Sequence, residues 1–222
     1  MEKIVEELCQ KHGTLVHEKK NTTLFDASRD TDGPYVYYLV DGICALSSNS
    51  YQGQEHVFLY HMAGQMMGMN PFIAGFGSGV FSYIGPTLMT KTNCTLYRIP
   101  VPVFQEYLNT NLEFSNYVVR LLSRYYHLAL AHLKQIQEDS SVTVICRFLL
   151  SMSSPQAEGM VVPRFFTNEE ISQYSGVHAV TVGRIIAHLL QSGYVKRISA
   201  GLLIQDQDAL RRLVENCETF KY

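Results

Sequence analysis

The stretch Thr167 to Lys196, TNEEISQYSGVHAVTVGRIIAHLLQSGYVK, constrains this chain more than any other. Thr167 stands at a cap position with Glu170 three residues on, the spacing of a capping box, and Ile171 anchors a short helix. Gly176 supplies the left-handed backbone that a sharp inter-helix turn requires. A second helix is predicted from His178, with Val182, Ile185, Ile186 and Leu189 on one face, and Gly193 stops it. Two helices locked at a steep angle form a helix-turn-helix, which leaves the start of the second free to enter a DNA major groove.

The rest of the chain changes texture twice. From about His12 to Phe104, the segments VYYLVDGICALSS, HVFLYHMAG and CTLYRIP are rich in Val, Ile, Tyr and Phe. They are punctuated at Asp41–Gly42, Gln52–Gly53 and Ala63–Gly64. Short strands between glycine turns predict an antiparallel barrel or roll. From Phe104 to Gln137 the period becomes helical. Phe114, Val118, Leu121, Tyr125, Leu128, His132 and Gln135 recur at alternating steps of four and three, the seam of a coiled coil. The same stripe would also suit a long amphipathic helix lying on its own domain's core.

Residues 138–141 interrupt the pattern as a hinge. A helix over Val142–Ser153, a loop SSPQAEG, a strand near Met160–Val162, the helix-turn-helix and a hairpin over Tyr194–Ile204 follow. The hairpin is the wing of a winged helix. The expected fold is α+β: a β-roll over 1–108, a dimerisation helix and hinge over 109–139, and a winged helix-turn-helix over 140–222.

Composition narrows the classes. The chain has 222 residues, 46% of them hydrophobic, which supports a buried core. MEKIVEELCQK lacks a signal-peptide core, and no apolar run approaches the roughly 20 residues of a membrane helix. Cys9, Cys44, Cys94, Cys146 and Cys217 are scattered without a CxxC or a Cys/His cluster, so no zinc or iron–sulfur cofactor is expected. A reduced, cytoplasmic protein with no membrane association follows. The net charge is −2; residues before Ser140 carry 10 Lys/Arg and 13 Asp/Glu, those from it on 8 and 7. Nonspecific phosphate attraction should therefore be modest, as suits a specific DNA binder.

The order of roll, long helix and winged helix resembles the cyclic-AMP receptor/FNR family of bacterial transcription regulators. GVHAVTVGRII is similar to that family's recognition helix, G-x-S-R-E-T-V-x-R-x-L. YYLVDGICAL resembles a family strand ending in a glycine turn, and HMAGQMMGMNPF its G-x-x-x-G segment, with Gly64 and Gly68 at the glycines. The recognition segment is most similar to regulators of organohalide respiration, which respond to halogenated phenols.

Departures from the family pattern bear on the effector. Members that bind cyclic AMP hold its phosphate with a glycine–glutamate and an arginine–serine pair. Here Met69 follows Gly68, Phe81–Ser82 stand where Arg–Ser would fall, and no Lys or Arg occurs between Arg29 and Lys91. A phosphate would lack a cation, which argues against a cyclic nucleotide. Iron–sulfur members need a cysteine cluster that Cys9 alone cannot supply. The roll's aromatic and methionine residues either fill the barrel or surround a small apolar or aromatic effector. By resemblance that effector would lie near Tyr60, Gly68, Met69, Tyr83, Tyr125 and Leu128, with Lys91 as the cation for a phenolate. Haem held by His56, His61 or a methionine is an alternative.

Resemblance also assigns the DNA contacts. Arg184 falls at the base-reading arginine, suited to guanine O6 and N7. Val180 replaces the family glutamate, which accepts from cytosine N4; valine offers a surface for a thymine methyl. Thr167, Thr181 and His178 would contact phosphates or base edges, and Lys196 and Arg197 would reach the backbone from the wing. A parallel helix pair would place two recognition helices on an inverted repeat, with half-sites about 34 Å apart. An effector bound to roll and helix would then shift the hinge population. RNA polymerase is a further expected partner. Against an enzyme, the chain lacks G-x-S-x-G, a P-loop and H-E-x-x-H, and Glu55, His56 and His61 lack the spacing of a cupin metal site.

Overall fold

The computed structural model describes residues 2–26, 35–50, 53–74, 85–138 and 140–216. The chain falls into two compact units, Met1–Ala129 and Leu130–Tyr222.

The first unit opens with α1 (Lys3–His12), followed by strands β1 (Thr14–Glu18), β2 (Thr23–Asp26), β3 (Tyr35–Asp41), β4 (Ile43–Asn49), β5 (Glu55–Met62) and β6 (Met66–Met67). Then come the short α2 (Asn70–Ala74), β7 (Thr87–Thr90), β8 (Cys94–Pro100), α3 (Val101–Thr110) and α4 (Leu112–Glu138). The strands make two antiparallel sheets, ordered β1-β8-β3-β6 and β2-β7-β4-β5. This is the expected roll.

Strand β3 shows why the sequence reads YVYYLV without polar alternation. Tyr37 and Leu39 pack with Phe25, Cys44 and Leu88 of the opposite sheet. Val36 and Tyr38 pack with Ile4, Leu8, Phe104, Phe114 and Val118 of the helices. Neighbouring residues of a strand point to opposite faces, so a sheet covered on both sides has no polar face to write. Gly42 makes the turn after β3 at φ +101°, where a Cβ would sit 2.6 Å from the Asn93 carbonyl oxygen.

Helix α4 corrects the expected dimer seam. Phe114, Val118 and Leu121 are buried in the helix–sheet core, and Tyr125 packs against it. The stripe at their spacing therefore faces the chain's own sheet, and Leu128, expected on the same seam, is exposed. A second stripe is exposed: Leu112 at 76%, Val119 at 63%, Tyr126 at 62% and Leu133 at 54%. Over four turns, heptad spacing and ordinary amphipathic spacing coincide, so position in sequence could not separate the two faces.

In the second unit α5 (Ser141–Met152) starts on a capped turn, with the Thr143 N–H donating to Ser140 Oγ at 3.2 Å. Strands β9 (Ser154–Gln156) and β10 (Gly159–Pro163) form a hairpin where a loop was expected. Pro155 is tolerated because β9 is an edge strand. The sheet is completed by β11 (Val195–Ile198) and β12 (Gly201–Ile204) in the order β11-β12-β10-β9, the predicted wing. Between them lie α6 (Asn168–Ser175) and α7 (Ala179–Gln191), and α8 (Gln207–Glu215) ends the described chain. Helix α8 was not foreseen; Asp206 caps it by accepting from the Ala209 N–H at 2.7 Å, and Leu210 and Leu213 are buried.

Candidate nucleic-acid interface

The helix-turn-helix forms as its punctuation predicts. Thr167 Oγ1 accepts from the Glu170 N–H at 3.3 Å and opens α6. Gly176 closes it in the left-handed region at φ +71°, with its N–H on the Ser172 carbonyl at 2.9 Å. Ile171 of α6 and Val182, Ile185, Ile186 and Leu189 of α7 are buried and hold the pair together. Thr167→Ala is expected to destabilise the domain by about 1 kcal/mol. Chemical denaturation of the two proteins measures it.

His178 is the N-cap of α7. Its Nδ1 accepts from the Val180 N–H at 3.3 Å, which leaves Nε2 as its outward donor. His178, Val180 and Arg184 are exposed on the face opposite the buried stripe, and Thr181 is half-buried. An apolar side chain held out at the start of a helix, as Val180 is, burial in the domain does not explain.

The wing adds a second cluster. A groove of about 570 Å³ is lined by Arg164, Thr167, Asn168, Ile186, Arg197 and Gly201, among others. It brings Thr167 and Arg197 together, as expected, and adds Arg164 and Asn168. Lys196 is exposed on β11 but does not line the groove. The Arg164 N–H donates to the Ala200 carbonyl at 2.8 Å, tying the wing's turn to β10. At Gly201 a Cβ would lie 2.0 Å from the Val162 carbonyl oxygen, so only glycine permits this approach. Two guanidinium groups beside a capped helix start suit a phosphate. Arg164 sits at the end of a strand, three residues before the cap, and only its partners across space mark it.

The residues expected around an effector are not one cluster. Met69 is buried and Tyr125 packs against the same helix–sheet core. The Tyr125 hydroxyl donates to the Met66 carbonyl at 2.9 Å and lies 3.4 Å from His61 Nδ1. Gly68 borders Tyr37 and Leu88 of the inter-sheet core instead. Tyr60 is buried on β5, and Leu128 is exposed. Lys91 is buried and paired with Glu55 at 2.6 Å, so its charge is already met within the roll. Glu55 lies 36 residues away, which hid the pairing from sequence spacing. Tyr83 lies outside the described residues, as do Phe81 and Ser82. His61 is buried and His56 exposed, five positions apart on β5, so the two face opposite sides and cannot share a ligand.

Residues 145–213 match the family model described as the Crp-like helix-turn-helix domain. The cAMP-activated global transcriptional regulator CRP of Haemophilus influenzae is 28% identical over 173 residues, covering 76% of this chain and 73% of that protein. The fumarate and nitrate reduction regulatory protein of Escherichia coli is 22% identical over 199 residues, covering 88% and 76%. The chain is a Crp/Fnr-type DNA-binding transcription regulator. These relatives regulate transcription and are not enzymes, which decides against the cupin alternative. Among solved structures, FixK2 from Bradyrhizobium japonicum aligns with a TM-score of 0.76 at 14% identity, over 95% of this chain and 99% of that one. CprK complexed with OCPA aligns with a TM-score of 0.66 at 14% identity, over 95% and 93%. At such identities the structural likeness establishes the fold, so CprK is a distant neighbour and not evidence of a subgroup. Among the described residues, no helix of the regulator is long and apolar enough to cross a membrane.

Proposed function

We propose that the regulator works as a homodimer on an inverted repeat and is gated by a small apolar or aromatic molecule rather than by a cyclic nucleotide. The observation that carries the dimer is the exposed stripe of α4. Leu112, Asn116, Val119, Ser123 and Tyr126 are all exposed and follow steps of four and three, and Leu130 and Leu133 continue the series in sequence. Leu112, Val119, Tyr126 and Leu133 then fall at heptad position d, Asn116 and Ser123 at position a. A single polar a position selects register and strand number in parallel pairs, which fits a two-stranded seam.

Arg184 reads guanine from the exposed face of α7, and Val180 beside it presents methyl groups to thymine. Phosphates on either side of the groove are held by Thr167 and Arg197, with Arg164 added, and by the Nε2 of His178. Arg184→Ala is expected to cost about 1–3 kcal/mol and to relax the preference at one base pair. Binding-site selection with both proteins tests this. The wild-type site should be an inverted repeat with A·T opposite Val180; selection of the same site by both proteins would reduce Arg184 to a phosphate contact.

The effector reading rests on Tyr125, which carries a hydroxyl from the central helix to His61 and Met66 of the roll. A ligand entering beside this node would touch roll and helix at once and bias the junction at residues 138–141. Lys91 is not its cation. A screen of phenols and other small aromatics by thermal shift, followed by DNA binding with each hit, tests the class; cyclic AMP should leave both readings unchanged. A regulator of transcription with this chemistry acts in the cytoplasm, where reduced cysteines persist.

A further inference from the structure

Two cysteines meet at the crossing between the roll's sheets. Cys44 lies on β4 and Cys94 opens β8, so they belong to opposite sheets, and their sulfurs are 3.8 Å apart. The turn between β7 and β8 is pinned at this point. The Lys91 N–H donates to the Ile43 carbonyl at 2.8 Å, and the Ile43 N–H donates to Thr92 Oγ1 at 2.9 Å. Cys94 Sγ lies 3.4 Å from the Ile43 and Thr92 carbonyl oxygens and 3.8 Å from Thr92 Oγ1. Cys44 is 0% and Cys94 3% exposed. Gly42 keeps the space beside Cys94 open, since a Cβ there would lie 2.7 Å from the sulfur.

We propose that Cys44 and Cys94 are a modification site, a dithiol that a small hydroperoxide converts to a disulfide joining the two sheets. In the first step the Cys94 sulfur attacks one peroxide oxygen. An S–O bond forms, the O–O bond breaks, and the departing oxygen leaves as water or alcohol after taking the Cys94 proton. In the second step Cys44 attacks the resulting sulfenic acid. The S–S bond forms, the S–O bond breaks, and the hydroxide leaves as water with the Cys44 proton. Two thiols lose two electrons and one peroxide gains them.

The geometry favours both steps. The second thiol is already in contact, so a sulfenic acid on Cys94 meets its partner before a second peroxide arrives. Closing the bond requires the sulfurs to move from contact to about 2.05 Å, within reach of side-chain rotation. Burial admits a molecule as small as hydrogen peroxide and excludes tripeptide disulfides. The hydrogen bond between the thiols pulls Cys94 downward and, with burial, holds Cys44 up, which makes Cys94 the attacking sulfur. The carbonyl oxygens around Cys94 oppose full ionisation, so the reaction should be slower than that of an exposed thiolate. Cys9 and Cys146 have no such partner among the described cysteines, and burial pushes each up to about 12. They serve as internal controls.

The test uses the full-length regulator under native conditions. It is treated with hydrogen peroxide, quenched with catalase, denatured with iodoacetamide present and digested without reduction. Mass spectrometry should find a peptide pair joining Cys44 to Cys94, lighter than the separate peptides by two hydrogens and abolished by dithiothreitol. Cys9 and Cys146 should be fully alkylated. In C44A, dimedone should label Cys94. The proposal is overturned if the wild-type protein shows Cys44 and Cys94 alkylated like Cys146, or linked only when unfolded before oxidation. The wild-type map stands whether or not C44A folds.

Discussion

Val119→Glu together with Tyr126→Glu is expected to make the regulator monomeric and to weaken its binding to an inverted repeat by about 10²–10⁴-fold. The lower end applies if each recognition helix binds its half-site independently, because linking two sites then contributes only effective concentration. Both side chains are exposed on α4, at 63% and 62%, so no contact inside the first unit is lost. Glutamate is also a strong helix former, and the helix itself should persist. What changes is the seam: four carboxylates would face one another across a two-fold axis at d positions. Sedimentation gives the oligomeric state and a gel shift gives the affinity. Retention of a dimer by the doubly substituted protein, with its thermal midpoint unchanged, would sink the proposed seam. The contrasting variant is Phe114→Ala, on the inner stripe. Removing an aromatic side chain from a filled core costs about 3–5 kcal/mol and should unfold the roll rather than dissociate it.

That contrast explains how far the sequence could be read. The helix-turn-helix was legible to its caps because each signal is local: Thr167 bonds three residues on, Gly176 needs only its own φ, and Val182 to Leu189 repeat within one helix. Helix α4 is covered on one side by its own sheet and exposes apolar residues on the other. Its sequence therefore carries two interleaved stripes, Phe114–Val118–Leu121–Tyr125 and Leu112–Val119–Tyr126–Leu133, and periodicity ranks neither. Burial separates them, and burial depends on β3 and β6, which lie far away in the chain. The same distance hid the Lys91–Glu55 pair, the Cys44–Cys94 contact and the approach of Arg164 to the wing. Long-range partners leave no spacing to read.

His61 gives the second large effect, in acid. Burial holds this imidazole at about 4, down from 6.5, so the folded protein keeps it neutral at pH values where an unfolded chain is protonated. Its neighbour fixes the tautomer. The Tyr125 hydroxyl gives its proton to the Met66 carbonyl, which leaves the phenolic oxygen to accept from His61 Nδ1–H at 3.4 Å. Because the unfolded chain binds the proton first, this contribution to stability is complete above pH 6.5 and is lost as the pH falls towards 4. The shift corresponds to about 3 kcal/mol, falling by at most about 1.4 kcal/mol per pH unit. Buried His132, also held down chiefly by burial, acts in the same direction, so the wild-type slope alone would not isolate His61. The measurement is the difference in denaturation free energy between wild type and His61→Gln from pH 7.5 to 4.5. It should shrink as the pH falls; parallel curves would remove His61 as the cause. Protonation must also disturb Tyr125, whose helix presents the proposed seam on its other side. Dimerisation should accordingly weaken over the same interval, and in His61→Gln that dependence should disappear.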